Sequence, residues 1–436
     1  MVIRWVCRMR HGFDRIFHKG ELVGKDAFSS YSMSFVDEQT LALLSAAEIE
    51  LVRADAAVSA SPLLGAIRQQ LLRVEALASV SIDGERVGYR DLLRLEMAVK
   101  NAPFYEDDCE LLYQLASRLN LKNTRGAVVA YRYLRTVDWV SRNIGKDAAI
   151  AADIFDVVRE LYNEMEIDKL AGTSGEELYH ERPNGEAVGH LGSPREGGEG
   201  DGLTDDYVAF LNTSVFTPSA QAELSHAYLQ LIKPYQGNLD GYERVFTHLI
   251  FYRRGVLTSA VAPLAVGPSS DVEQHVRTLV RNMKSLSDPG ASDGRAWAVF
   301  EHSAYCTKVA AKAVSLCNHA LAAHWQQWKQ KLGLIKADSA VGLLLRAFLG
   351  SPCLTVAFAS RQIKKSFSAT NDAMRILIEA GIVQESGHLM KHRVFCATEL
   401  ADFFDALMAK LISSEGQSRN ELLCELEHAL GFDAGQ

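Results

Sequence analysis

No apolar run in this 436-residue chain approaches the ~20 residues needed to cross a bilayer, so no membrane partner is expected. Cysteine is sparse and irregular. Its seven residues, an odd number without regular spacing, argue for a reducing cytosol and a cytoplasmic protein over a disulfide framework. The first twenty residues carry Arg4, Arg8, Arg10, Arg15 and Lys19 against the single acid Asp14. They lack the continuous apolar stretch and small-residue cleavage site of a secretory signal. One reading of this basic extension, residues 1–35, is a misplaced start, since Met33 would also serve. There is no internal repeat. The glycine-rich stretch near Gly197 holds neither G-x-x-x-x-G-K-[S/T] nor G-x-G-x-x-G between strand and helix, which excludes a phosphate loop. A net charge of -8 excludes a chain-wide nucleic-acid coat and leaves room for a local basic surface.

The 48% hydrophobic content supplies cores for two or three domains. Strand-like alternation is sparse, and apolar residues recur at spacings of three and four. Leu224, Tyr228 and Leu231 fall on one helical face ahead of Pro234. The expected fold class is therefore mainly α. From Ala171 to Gly202 the chain is glycine-rich and charged, with Pro183, Pro194 and Gly197-Gly198. Such a stretch buries too little surface to offset its ordering entropy and reads as a long loop or disordered segment.

Asp338 to about Ile412 changes character. A helical pattern ends in Gly381-Ile382-Val383, and after a polar turn comes the strand-like run Val394-Phe395-Cys396. Helix, helix and small hairpin are the signature of a winged helix-turn-helix. Leu354 to Ile363 reads as the first helix, and Ser368 as the cap of a second running to about Ala380. Between Arg361 and Arg393 six basic residues (Arg361, Lys364, Lys365, Arg375, Lys391, Arg393) face three acids (Asp372, Glu379, Glu385), a local excess of +3. That contrast fits phosphate contacts to DNA, with Ser368, Asn371 and Arg375 on the recognition helix and Lys391 and Arg393 beside the wing. A protein-protein or homodimer module fits the same pattern.

His302, Cys306, Cys317, His319 and His324 invite a zinc reading. In a continuous helix, however, Cys306 and Cys317 stand ~16 Å apart along the axis, too far to share one ion. His302 and Cys306 at i, i+4 supply half a site at most, and no metal site is assigned.

Three segments in order carry a family resemblance. The first is Glu75-Ala76-Leu77-Ala78-Ser79-Val80-Ser81-Ile82-Asp83-Gly84. The second is His226-Ala227-Tyr228-Leu229-Gln230-Leu231-Ile232-Lys233-Pro234-Tyr235, running on to Arg244 and Arg254-Gly255-Val256-Leu257. The third is Ser368-Ala369-Thr370-Asn371-Asp372-Ala373 leading to Leu377 and Glu379-Ala380-Gly381-Ile382. Asp205 to Asn212 and Trp297 to Phe300 add weaker echoes. Together they resemble the Fic (Fic/Doc) family over about residues 40 to 400. The first is similar to its inhibitory helix, the second to the helix pair bearing H-x-F-x-[D/E]-G-N-G-R-x-x-R, and the third to the winged helix that many members append. The implied architecture is a basic extension (1–35), an N-terminal helical region (36–120), and a Fic core (121–315, with 171–202 as its flexible loop). A connecting helix (316–338), a winged helix-turn-helix (339–412) and a C-terminal helix or tail (413–436) follow.

The resemblance implies protein adenylylation from ATP with Mg²⁺, in which a histidine takes the proton of a target hydroxyl. This sequence departs from the motif where that chemistry resides. Lys233 stands in place of the histidine, Gly237 in place of the metal-binding acid and Asn238 in place of the first glycine. Leu239, Asp240 and Gly241 replace asparagine, glycine and the first arginine, while Arg244 keeps the last arginine. An unperturbed lysine, with a pKa of ~10.4, is protonated at neutral pH and is no base. Loss of a general base typically costs on the order of 10²–10⁴ in rate. Asp240 would repel phosphate. Lys233 reads as a phosphate clamp, as an unusual nucleophile, or as a solvated lysine suited to a helix C-terminus.

The resemblance also implies that the acid of the Ser79, Asp83, Gly84 segment pairs with Arg244, as a relic switch or as a buried ion pair that pins the N-terminal helices. Three functions stay open. One is a degenerate pseudo-adenylyltransferase that binds DNA or a protein target. Another is a transferase using Lys233, Gly237, Asn238 and Arg244 on ATP and Mg²⁺. The third is a sensor whose altered pocket holds another ligand. No cofactor is assured.

Overall fold

The computed structural model describes residues 38–101, 109–162, 199–232, 241–287, 297–389, 392–412 and 419–429. Lys233, Gly237, Asn238, Leu239, Asp240 and Lys391 lie outside the described residues, as do the 1–35 extension and most of the 171–202 stretch. The described residues are mainly helical, as the spacing of apolar residues predicts. None of their helices is long and apolar enough to cross a membrane.

Helix α1 (Glu38–Ser59) runs along the longest helix of the fold and leads into α2 (Leu64–Ile82). After α2 come α3 (Tyr89–Asn101), α4 (Cys109–Arg118), α5 (Thr124–Asn143), α6 (Ile154–Tyr162) and α7 (Glu199–Asn212). Because α7 begins at Glu199, the last residues of the glycine-rich stretch are helical rather than loop. Next stand α8 (Pro218–Ile232), α9 (Tyr242–Arg253), α10 (Val266–Ser270), α11 (Val272–Ser287) and α12 (Trp297–Leu332). Helix α12 passes without a break through the boundary at 315/316, so the expected connector and core share one element.

The organising element is α2. Thirteen of its nineteen residues are buried, including the polar Gln70, Arg73, Glu75 and Ser79. It packs against α5, α10, α12 and a C-terminal helix, α13 (Ala340–Gly350). A helix buried on nearly all faces must provide a partner for each polar group, since an unpaired buried charge costs several kcal/mol. Arg73 meets Glu96 of α3 through Nε at 2.6 Å and Nη2 at 3.1 Å, and donates from Nη1 to the Gly350 carbonyl. Gln70 donates to the Leu349 carbonyl at 2.7 Å. These bonds satisfy carbonyls left over at the end of α13. At Gly350 α13 comes close to α2, since a Cβ there would stand 3.3 Å from Ala66 Cα.

Asp55 of α1 is buried and accepts bonds from the N–H groups of Thr258, Ser259 and Ala260 and from the Thr258 hydroxyl. One carboxylate thereby orders the turn that leads the chain from α9 to α10.

Beyond α13 come β1 (Cys353–Thr355), α14 (Val356–Ile363), α15 (Phe367–Glu379), β2 (Gln384–Leu389), β3 (His392–Cys396), α16 (Thr398–Ile412) and α17 (Arg419–Ala429). The strands form one antiparallel sheet in the order β1-β3-β2. The expected helix from Leu354 is corrected: Leu354 and Thr355 belong to β1, and Thr355 caps α14 through a bond from Phe358 N–H. The expected Ser368 cap is corrected as well. Ser366 is the N-cap of α15, its Oγ accepting from Ala369 N–H at 3.2 Å, and Ser368 is an exposed residue of the first turn. Both serines precede an apolar run, and sequence does not show which one leaves helical geometry. Ser366→Ala is expected to cost about 1 kcal/mol in denaturant unfolding and Ser368→Ala close to nothing.

The cysteine expectation is also corrected. Cys353 and Cys396 are directly opposed across β1 and β3 and joined by a disulfide spanning 43 positions. A three-residue strand read as the start of a helix hid that opposition.

Candidate functional site

Glu75, Ser79 and Asp83 recur every four residues and so share one face of α2 and its C-cap. Gly84 follows with φ +89, a left-handed conformation that ends the helix and suits glycine. Facing them is α9. Its start is set by Gly241, also left-handed at φ +95, and it presents Arg244 and, one turn on, His248.

Arg244 joins the two helices. Nε donates to Ser79 Oγ at 2.8 Å, and Nη2 donates to the Ser79 carbonyl at 3.2 Å and to Asp83 Oδ2. Nη1 reaches Glu243 Oε1 at 3.3 Å. The arginine is 8% exposed and Glu243 3%, so these charges neutralise one another away from water. Burial alone would raise the Glu243 carboxyl, but Arg244 and His226 bring it down to about 2. His226 Nε2 stands 3.4 Å from the same Glu243 oxygen.

One turn deeper, Glu75 accepts from the Tyr133 hydroxyl at 2.7 Å and the Ala265 N–H at 2.8 Å, and lies 2.8 Å from His248 Nε2. His248 Nδ1 has no partner among the described residues. Burial and the Glu75 charge push the Tyr133 phenol well above its ordinary range.

Behind this seam lies a partly open cavity of about 50 Å³, lined from α2, α8, α9, α10, α11 and α12 by residues that include Glu75, Glu223, His226, Arg244, His275 and Cys306. His226, His275 and His302 stand in a row with their rings tilted, successive centroids 5.3 and 5.5 Å apart. Burial, together with His226, His302 and Arg244, holds His275 well below the usual imidazole range and therefore neutral. Burial also pushes the Glu223 carboxyl up to about 7, against the opposing pull of His226 and Asn282, which donates to it at 3.1 Å. Among the described residues no three such side chains are placed to hold a metal ion. The chain matches no protein-family model and no curated protein.

Of the residues expected from sequence, the fold brings together Ser79, Asp83 and Arg244, with Gly84 as the turn beside them. Asn371, Arg375 and Arg393 are exposed at a distance along the chain, on α15 and β3. Each of these two arginines has an acidic neighbour, Arg375 with Asp372 at 3.7 Å and Arg393 with Glu385 at 3.3 Å. Arg361 is exposed as well and donates to the Lys100 carbonyl at 3.1 Å. His302 and Cys306 meet, as i, i+4 spacing allows, but their further neighbour is His275. Sequence reading missed Glu223, Glu243, His248 and His275. The available signal was polar residues on otherwise apolar helices, which marks a buried network without naming its partners.

Proposed function

We propose that this chain is a degenerate Fic-type protein, a pseudo-adenylyltransferase that acts as a binding regulator through its C-terminal module. The observation that carries the reading is the state of Arg244. All three of its nitrogens are engaged by Ser79, Asp83 and Glu243, inside a seam whose cavity measures about 50 Å³. Ligand sites for cofactor-sized molecules run to roughly 300–1,000 Å³. Substitution of the motif at Lys233, Gly237, Asn238, Leu239 and Asp240 supports the same reading.

The C-terminal order of helix, strand, helix, helix and hairpin, with sheet order β1-β3-β2, supports a winged helix-turn-helix. Exposed Lys364 and Lys365 just ahead of α15, with Asn371 and Arg375 on it, support DNA as the partner. Two titrations test the proposal. Calorimetry with ATP, with and without Mg²⁺, is expected to show no binding; magnesium-dependent heat would favour the alternative, a transferase using altered residues. Fluorescence anisotropy on a random duplex is expected to show salt-dependent binding. In the doubly substituted Lys364→Ala, Lys365→Ala protein the log–log salt slope should fall by about 1–2. A duplex that does not bind even at low salt would remove DNA as the partner and leave a protein target.

A further inference from the structure

Packing accounts for one face of α15 and leaves an aromatic ring on the other. Thr370, Ala373, Met374 and Leu377 turn inward and seat the helix. Phe367, its first residue, is 60% exposed and adds little to that core. Its neighbours in the chain are polar or basic: Lys364, Lys365, Ser366 and Ser368, all exposed. The turn that presents the ring is fixed. Lys364 is left-handed at φ +53, the Lys365 N–H donates to the Ser360 carbonyl at 3.1 Å, and Thr370 Oγ1 donates to the Ser366 carbonyl at 2.9 Å.

Phe367, Asn371 and Arg375 recur at every fourth position and so lie along one edge of the exposed face. Four residues advance a helix by about 6 Å, under two base-pair steps of about 3.4 Å. A recognition helix enters the major groove with its N-terminal residues nearest the base edges. There an asparagine matches adenine N6 and N7, and an apolar ring matches the C5-methyl group of thymine. The two lysines just ahead of the ring suit the phosphates that border the groove, within a chain whose net charge is -8. The acids Asp372 and Glu379 come later in the helix, and Asp372 stands 3.7 Å from Arg375.

We propose that Phe367 is the side chain with which α15 reads thymine, its ring packing against the C5-methyl group in the major groove of a DNA duplex. The inference rests on DNA being the partner of the C-terminal module. Asn371, one turn on, takes a nearby adenine, so the preferred site carries neighbouring A·T pairs. The lysines supply affinity for any duplex, and the ring adds the choice of base. Uracil differs from thymine by that methyl group alone, so exchanging the two leaves base pairing and phosphates as they were.

The test selects short duplexes from a random pool on the full-length protein and sequences the bound fraction. The selected duplex is then remade with uracil in place of thymine, and both forms are titrated by fluorescence anisotropy. The thymine form is expected to bind about four-fold tighter for each contacted methyl, the factor that one buried carbon is worth. Phe367→Ala should bring that ratio to about one and keep the salt slope, since the lysines remain. Phe367→Leu should keep part of the ratio. Because the ring is exposed, Phe367→Ala should melt at the native temperature, which separates a lost contact from a lost fold. Three outcomes overturn the proposal and leave DNA as the partner: equal binding of the two forms, selection without a common sequence, or a ratio that survives Phe367→Ala. Failure to bind any duplex at low salt overturns the proposal and DNA together, and leaves a protein target.

Discussion

Replacing Arg244 with alanine is expected to destabilise the fold by about 3–5 kcal/mol, the loss typical of breaking a buried ion pair from one side. The guanidinium bridges α2 to α9 through Ser79 and Asp83 and also neutralises Glu243. Its removal leaves Glu243 buried with His226 as its remaining polar neighbour, and that carboxyl can no longer stay near 2. Thermal melting, followed by circular dichroism at pH 7, reads the effect. The loss should shrink when Asp83→Asn is combined with Arg244→Ala, because one stranded charge is then absent. An unchanged melting temperature in Arg244→Ala would show that the seam contributes nothing to holding α2 in place.

Glu223→Gln is expected to act in the opposite direction, and only at higher pH. The folded carboxyl titrates near 7, against an ordinary value of 4.5. Between those values the unfolded chain has released a proton that the folded chain retains, so stability falls as pH rises through the window. Above it the full cost is present, on the order of 3 kcal/mol for a shift of this size. Glutamine keeps the oxygen that accepts from Asn282 and never ionises. The variant should therefore melt at a higher temperature than the native chain at pH 8 and at much the same temperature at pH 5. Equal melting at both values would mean that the buried carboxylate is solvated in a way the packing does not suggest.

Much of the architecture was legible because it rests on local signals. Leu224 and Tyr228 marked the inner face of α8, and Gly381, left-handed at φ +64, marked the end of α15. The contact between Arg244 and the Ser79–Asp83 turn was reached through a family resemblance; spacing alone shows only that three polar residues share a face of a buried helix. What stayed hidden depends on distant parts of the chain meeting. His226, His275 and His302 lie on three helices, and each alone reads as an ordinary core histidine. Cys353 and Cys396 became partners only once a three-residue strand was in place. Ser366 and Ser368 differ in backbone torsion, which their composition does not encode.

Helix α12 has a mechanical consequence. Its 36 residues hold neither glycine nor proline, and at 1.5 Å per residue it spans about 54 Å. His302 and Cys306 ride near one end. At the other, Trp325 sits against Arg346 of α13, and His324 against Phe403 of α16. One uninterrupted element therefore joins the histidine row to the seat of the C-terminal module, and α1 packs along it.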